Sequence, residues 1–167
     1  MKKKLLILLI SLFPLAGHCP EMNKPAKDQQ IKQAKKHIFI RDVYSMEFSV
    51  ENFRQALEYA EIKEPEIVFR QAVLETGNFT SELFRCANNL FGMRLARYRT
   101  TTALSEYNYH AKYNSWWDSV LDYKLWQDYY LNNGWNMEDY FGFLWGVQYA
   151  TDDHYITKLQ NLDLTVI

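Results

Sequence analysis

Glu75 stands at the end of an apolar run: Ile67, Val68, Phe69, Ala72, Val73 and Leu74 precede it, and Thr76-Gly77 follow. Pro65 marks where a helix would begin, and Gly77 where it would stop. A carboxylate in the last turn of such a helix meets two effects of one sign. The negative end of the helix dipole disfavours its charge, and apolar neighbours desolvate it. Both favour the protonated form, which a general acid working near neutral pH requires. Position alone leaves open the plainer reading, a solvated glutamate at an ordinary helix end. Glycoside hydrolysis is chemistry that uses such an acid, often with a second carboxylate across the scissile bond. Glu106, in the stretch that reads as a hairpin, is the candidate partner. A helix end facing a hairpin across a groove would form a sugar-binding cleft.

Other chemistries find less support. The four histidines, His18, His37, His110 and His154, show no HExxH spacing, so no metal site is expected. There is no GxSxG elbow and no glycine-rich phosphate loop, and no cofactor is expected. Cys86 reads as a small buried apolar residue, because nothing around it would activate a thiolate. The net charge is −1, and removing the leader lysines Lys2, Lys3 and Lys4 takes it to −4. That balance argues against nucleic acid as a partner. The 12 Tyr and 5 Trp are side chains able to stack on sugar rings as well as to fill a core.

The elements that must position these groups follow from the pattern. Lys2 to Lys4 and the apolar run from Leu5 to Ala16 read as an export signal over residues 1–18, too short for a comfortable membrane span. Cys19 follows Leu15-Ala16-Gly17-His18, which resembles a lipoprotein signal except that His18 occupies the small-residue position. Lipidation at Cys19 and simple cleavage after Ala16 or Gly17 both stay open. A lipid at Cys19 would be the chain's contact with a membrane. Residues 19–36 are polar and Lys/Gln-rich, with Pro20 and Pro25, and read as a tether. The domain proper, 37–167, reads as mainly helical with a small β-hairpin. Ser49 can cap a helix carrying Phe53, Ala56, Leu57 and Ala60. A short helix is expected from about Ser81 to Ala87, before the loop Asn88 to Met93. The alternation Tyr107, Tyr109, Ala111, Tyr113 predicts the hairpin. Ser115 and Asp118 make a capping box for a long helix that ends at Asn133-Gly134, with Val120, Leu121 and Leu125 as one stripe and Tyr123, Trp126 and Tyr130 as another. Helices near 137–149 and 153–162 finish the chain.

Several ordered blocks resemble the bacterial glucosaminidase domains of glycoside hydrolase family 73, within the lysozyme-like superfamily. They are Ala72-Val73-Leu74-Glu75-Thr76-Gly77 with Thr80-Ser81, and Asn88-Asn89-Leu90-Phe91-Gly92-Met93. Tyr113-Asn114-Ser115-Trp116 with Asp118 to Tyr123 is a third, and Tyr149-Ala150-Thr151-Asp152 with Tyr155 and Lys158-Leu159 a fourth. The resemblance spans about residues 40–163. It implies a mainly α, lysozyme-like domain with a small β-hairpin lobe, exported to the periplasm or cell envelope. The implied substrate is peptidoglycan, cut at the β-1,4 bond after N-acetylglucosamine. Glu75 would be the general acid/base, and Glu106 would stand where the family often has a second acidic residue. Tyr113, Tyr123 and Tyr149 would line the cleft, with core packing the alternative for each and above all for Tyr123 in its apolar stripe, and Asn89 would contribute to binding or hold its loop by side-chain bonds. A muramidase or lytic transglycosylase on the same scaffold, and an inactive tethered glycan-binding module, are the alternatives.

Overall fold

The computed structural model describes residues 46–165 and 167, all within one compact unit, Lys36–Ile167. The expected export signal, Cys19 and the tether lie outside the described residues. Six α-helices and one hairpin are present among those described, in the order α1 Val50–Tyr59, α2 Pro65–Thr76, α3 Glu82–Ala87, β1 Ser105–Tyr107, β2 His110–Lys112, α4 Trp116–Asn132, α5 Tyr140–Gly146 and α6 Tyr155–Gln160.

Helix boundaries follow the local chemistry. The Ser49 hydroxyl accepts from the Asn52 amide at 3.1 Å, and the Ser81 hydroxyl from the Phe84 amide at 3.2 Å. Pro65 opens α2, and Gly77 closes it in the left-handed region at φ 53°. Ser115 and Asp118 form the reciprocal capping box at the start of α4. The two last helices are shorter than the apolar pattern implied. Asp139 caps α5 by accepting from the Gly142 amide at 3.0 Å. The stretch after α5 leaves the helical path at Gln148, whose φ is 53°.

In the hairpin, Ser105 pairs with Lys112, Glu106 with Ala111, and Tyr107 with His110. Asn108 and Tyr109 form the turn, both at positive φ (48° and 64°). Tyr109 is therefore an exposed turn residue rather than part of an alternating strand. A two-residue turn with both central residues at positive φ matches the twist of the strands.

The core is one aromatic-rich cluster. Phe53, Ala56 and Leu57 of α1 meet Val68, Phe69, Ala72 and Val73 of α2, while Trp116, Trp117, Val120 and Tyr123 of α4 complete the packing. On α4 the Tyr123 and Trp126 stripe is buried, whereas Leu121 and Leu125 are half-buried. Cys86 is exposed, contrary to the expectation of a core thiol. Phe84 and Ala87 take the inward positions of α3, which turns Cys86 outward toward Tyr107. Among the described residues no helix is long and apolar enough to cross a membrane.

One buried ion pair fixes the irregular segment before the hairpin. Arg99 donates two bonds to Asp122 of α4, at 2.8 and 2.9 Å, and the Tyr113 hydroxyl donates a third at 2.8 Å. Burial alone would raise the Asp122 pKa; bonds from Arg99, Thr101 and Tyr113 outweigh it and hold the carboxyl below the usual carboxylate range.

Candidate active site

Helix α2 delivers Glu75 to the wall of an open cleft of about 760 Å³. The residues around the carboxyl are Gly92, His110, Tyr149 and Tyr155, and Trp126 and Tyr130 also line the cleft. The Glu75 pKa is raised, chiefly by burial. A hydrogen bond from the Tyr155 hydroxyl and the nearby His110 ring oppose that rise without cancelling it. Both the apolar helix and the cleft thus bias this carboxyl toward holding a proton, as a general acid must.

Gly92 is where the backbone comes closest. A Cβ built there would stand 2.9 Å from Glu75 Oε2, and its φ is 64°. A side chain at this position would meet both steric crowding and left-handed strain. The loop carrying Gly92 is clamped by Asn89. Its Oδ1 accepts from the amides of Phe91 (3.2 Å) and Met93 (3.1 Å), while its Nδ2 donates to the carbonyls of Met93 (2.9 Å) and Ala111 (2.8 Å). The Met93 carbonyl also accepts from the Ala111 amide at 2.8 Å, which joins this loop to β2.

Behind Glu75 runs a buried chain of hydrogen bonds whose direction is set at each link. The Lys63 amide donates to Gln127 Oε1 at 2.9 Å, and Gln127 Nε2 donates to the Lys63 carbonyl at 3.0 Å and to the Tyr140 hydroxyl at 2.7 Å. The Tyr123 hydroxyl donates to Gln71 Oε1 at 2.6 Å, so across the 2.8 Å contact between Tyr123 and Tyr140 it is Tyr140 that donates. Gln71 Nε2 donates to the Tyr155 hydroxyl at 3.3 Å, and Tyr155 keeps its own proton for Glu75. Apart from the Gln127 bond back to the Lys63 carbonyl, the donors run from Lys63 toward the carboxylate. Such chains polarise cooperatively, and this one holds the Tyr155 hydroxyl aimed at Glu75.

The residues expected at the site divide into wall and support. Tyr149 lines the cleft, and its hydroxyl donates to the Phe91 carbonyl at 2.7 Å, pinning the 147–152 segment beside Gly92. Tyr113 and Tyr123 were expected in the cleft, but both are fully buried. Tyr113 spends its hydroxyl on Asp122 and Tyr123 on the chain behind Glu75. Asn89 is buried too, and its polar capacity goes to its own loop and to the Ala111 carbonyl of β2. Glu106 is exposed on β1 and does not line the cleft; the hairpin residue that does is His110.

Sequence reasoning gave no site role to His110, Arg94, Trp126, Tyr130, Asp152, Tyr155 or Lys158, all of which line the cleft. Asp152, Tyr155 and Lys158 stand in one block of the family resemblance and Trp126 and Tyr130 in one stripe of α4, but the set comes from five separate segments, and no local spacing joins those segments into a site. Among the described residues no group of three or more His, Cys, Asp or Glu could hold a metal ion.

Residues 50–163, well over half of the chain, match the family described as glucosaminidase, mannosyl-glycoprotein endo-β-N-acetylglucosaminidase. The chain belongs to the glucosaminidase family. It is accordingly a glycoside hydrolase, mainly helical with a small antiparallel hairpin. No curated protein matches it. A solved structure similar to it is the catalytic domain of the autolysin Auto from Listeria monocytogenes, at 23% identity, covering 84% of this chain and 93% of that one, with a TM-score of 0.41. A likeness at that level supports nothing about activity. In this glucosaminidase Glu75 falls on the last turn of α2, and the cleft walls come from the 91–96 segment, β2, α4, the 147–152 segment and α6.

Proposed function

We propose that this protein hydrolyses peptidoglycan at the β-1,4 bond after N-acetylglucosamine, with Glu75 as general acid and then general base. The observation that carries the reading is a desolvated carboxyl, steadied by Tyr155, on the wall of an open cleft in a glucosaminidase chain. The reading also places the protein outside the cytoplasm, exported to the envelope where that glycan lies, with Cys19 as a lipid attachment point.

Glu75 protonates the bridging oxygen as the bond from the anomeric carbon breaks. The opposite face of the sugar then needs a nucleophile. Glu106 was one candidate, but it stands outside the cleft lining. The substrate's own acetamido oxygen is the better supported partner, because it travels with the sugar. It closes on the anomeric carbon, and water activated by the now ionised Glu75 reopens the ring.

Digestion of purified sacculi with mass analysis of the products tests the reading. New reducing-end N-acetylglucosamine is expected. Reducing-end muramic acid, anhydro ends, or saturable binding with no new ends would each overturn it, in favour of a muramidase, a lytic transglycosylase or a binding module. Glu106→Gln is expected to retain turnover within about tenfold of wild type. A loss approaching the thousandfold scale of a missing acid–base group would instead give Glu106 the catalytic role.

A further inference from the structure

The cleft holds six acidic or basic side chains besides its tyrosines: Glu75, Arg94, Arg99, His110, Asp152 and Lys158. Most of them are matched. Arg99 is committed to buried Asp122 through two bonds. Lys158 pairs with Asp152. His110 has one ring nitrogen, Nδ1, at 2.7 Å from the Asn108 carbonyl, and its charge interaction is with Glu75. Arg94 stands apart. It is exposed, and among the described residues no carboxylate pairs with it.

Its anchorage is as notable as its isolation. Arg94 directly follows Met93, whose amide and carbonyl are held by Asn89 and Ala111. The backbone is therefore fixed at Met93, between Arg94 and Gly92, which touches the acid, while no ion pair holds the guanidinium. An unmatched planar cation on a rigid mount beside a reacting centre fits bidentate recognition of a carboxylate. It does so in a chain whose net charge is negative, so general attraction of polyanions is no explanation.

We propose that Arg94 is a specificity residue that docks a carboxylate of the glycan substrate, carried by the lactyl ether of muramic acid or by the attached stem peptide. This rests on the peptidoglycan reading above. It makes the enzyme select acidic glycans over the same sugars with the acid masked.

The test uses the full chain on three substrates: peptide-free glycan strands, the same strands with lactyl carboxyls converted to methylamides, and intact sacculi. Arg94→Gln is expected to lower the preference for acidic over masked strands by roughly three- to tenfold, the scale of one charge-assisted contact in a partly wet site. The change should fall on KM rather than kcat. Arg94→Lys should recover part of it, and added salt should raise KM for wild type more than for Arg94→Gln. A loss confined to sacculi would place the carboxylate on the stem peptide; a loss on peptide-free strands would place it on the lactyl group. An unchanged preference on all three substrates, or an equal KM loss on acidic and masked strands, would overturn the proposal while leaving the peptidoglycan reading intact. Failure of wild type on every muramic-acid-containing substrate would sink both. Circular dichroism melts of the variants separate a folding defect from either result.

Discussion

Replacing Glu75 with Gln changes one proton and little else. The amide is isosteric, so the close approach of Gly92 is kept, and its oxygen still accepts from Tyr155. What disappears is the group that, in the proposed mechanism, gives and takes the proton. General acid–base catalysis is worth about 10² to 10⁴ in rate, or about 2.7–5.4 kcal/mol at 1.36 kcal/mol per decade. The same substitution should act on stability in the opposite sense. The folded state holds the Glu75 proton more tightly than the unfolded chain, because burial raises its pKa. Wild-type stability therefore falls as pH climbs from the unfolded carboxylate value, about 4.3, through the raised native value, and is level above it. Gln does not titrate, so the variant should be more stable than wild type at neutral pH and lose that advantage toward pH 4. Activity on sacculi is read by released reducing ends, and stability by urea melts at a series of pH values. Near-normal turnover would refute the catalytic role. A variant less stable than wild type at pH 7, with the gap constant down to pH 4, would refute the desolvation argument.

Tyr155→Phe removes the bond that favours the charged form of Glu75, so the carboxyl pKa should rise further and the corresponding limb of the kcat profile should move to higher pH. It also leaves buried Gln71 Nε2 without its acceptor, at a cost of about 1–3 kcal/mol in a melt. Gly92→Ala should cost roughly 1–2 kcal/mol for its left-handed backbone and, by displacing Glu75 Oε2, lower kcat about ten- to a hundredfold with a smaller effect on KM. Normal kcat in that variant would show that the carboxyl can yield without leaving its working position.

Local chemistry wrote much of this protein in one dimension. Pro65 and Gly77 bracket α2, Ser49, Ser81 and Ser115 cap their helices, and Asn133-Gly134 ends α4. Those signals act within one turn of the chain, so they can be read without knowing the fold. The same holds for the place of Glu75 at its helix end, which is local; the burial that raises its pKa came only with the fold.

What surrounds Glu75 was decided by packing. A tyrosine in an apolar stripe reads alike whether its ring faces a core or a groove; only the partner of its hydroxyl tells them apart. Tyr113 and Tyr123 found Asp122 and Gln71 and became supports, whereas Tyr149 found the Phe91 carbonyl at the rim. Cys86 lost its inner place because Phe84 and Ala87 took that face of α3. His110 and not Glu106 lines the cleft because a turn with Asn108 and Tyr109 at positive φ sets which hairpin residues look inward. Caps and helix ends depend on neighbours a few residues away; a cleft depends on segments brought together from 75 to 158, and that convergence exists only once the core has closed.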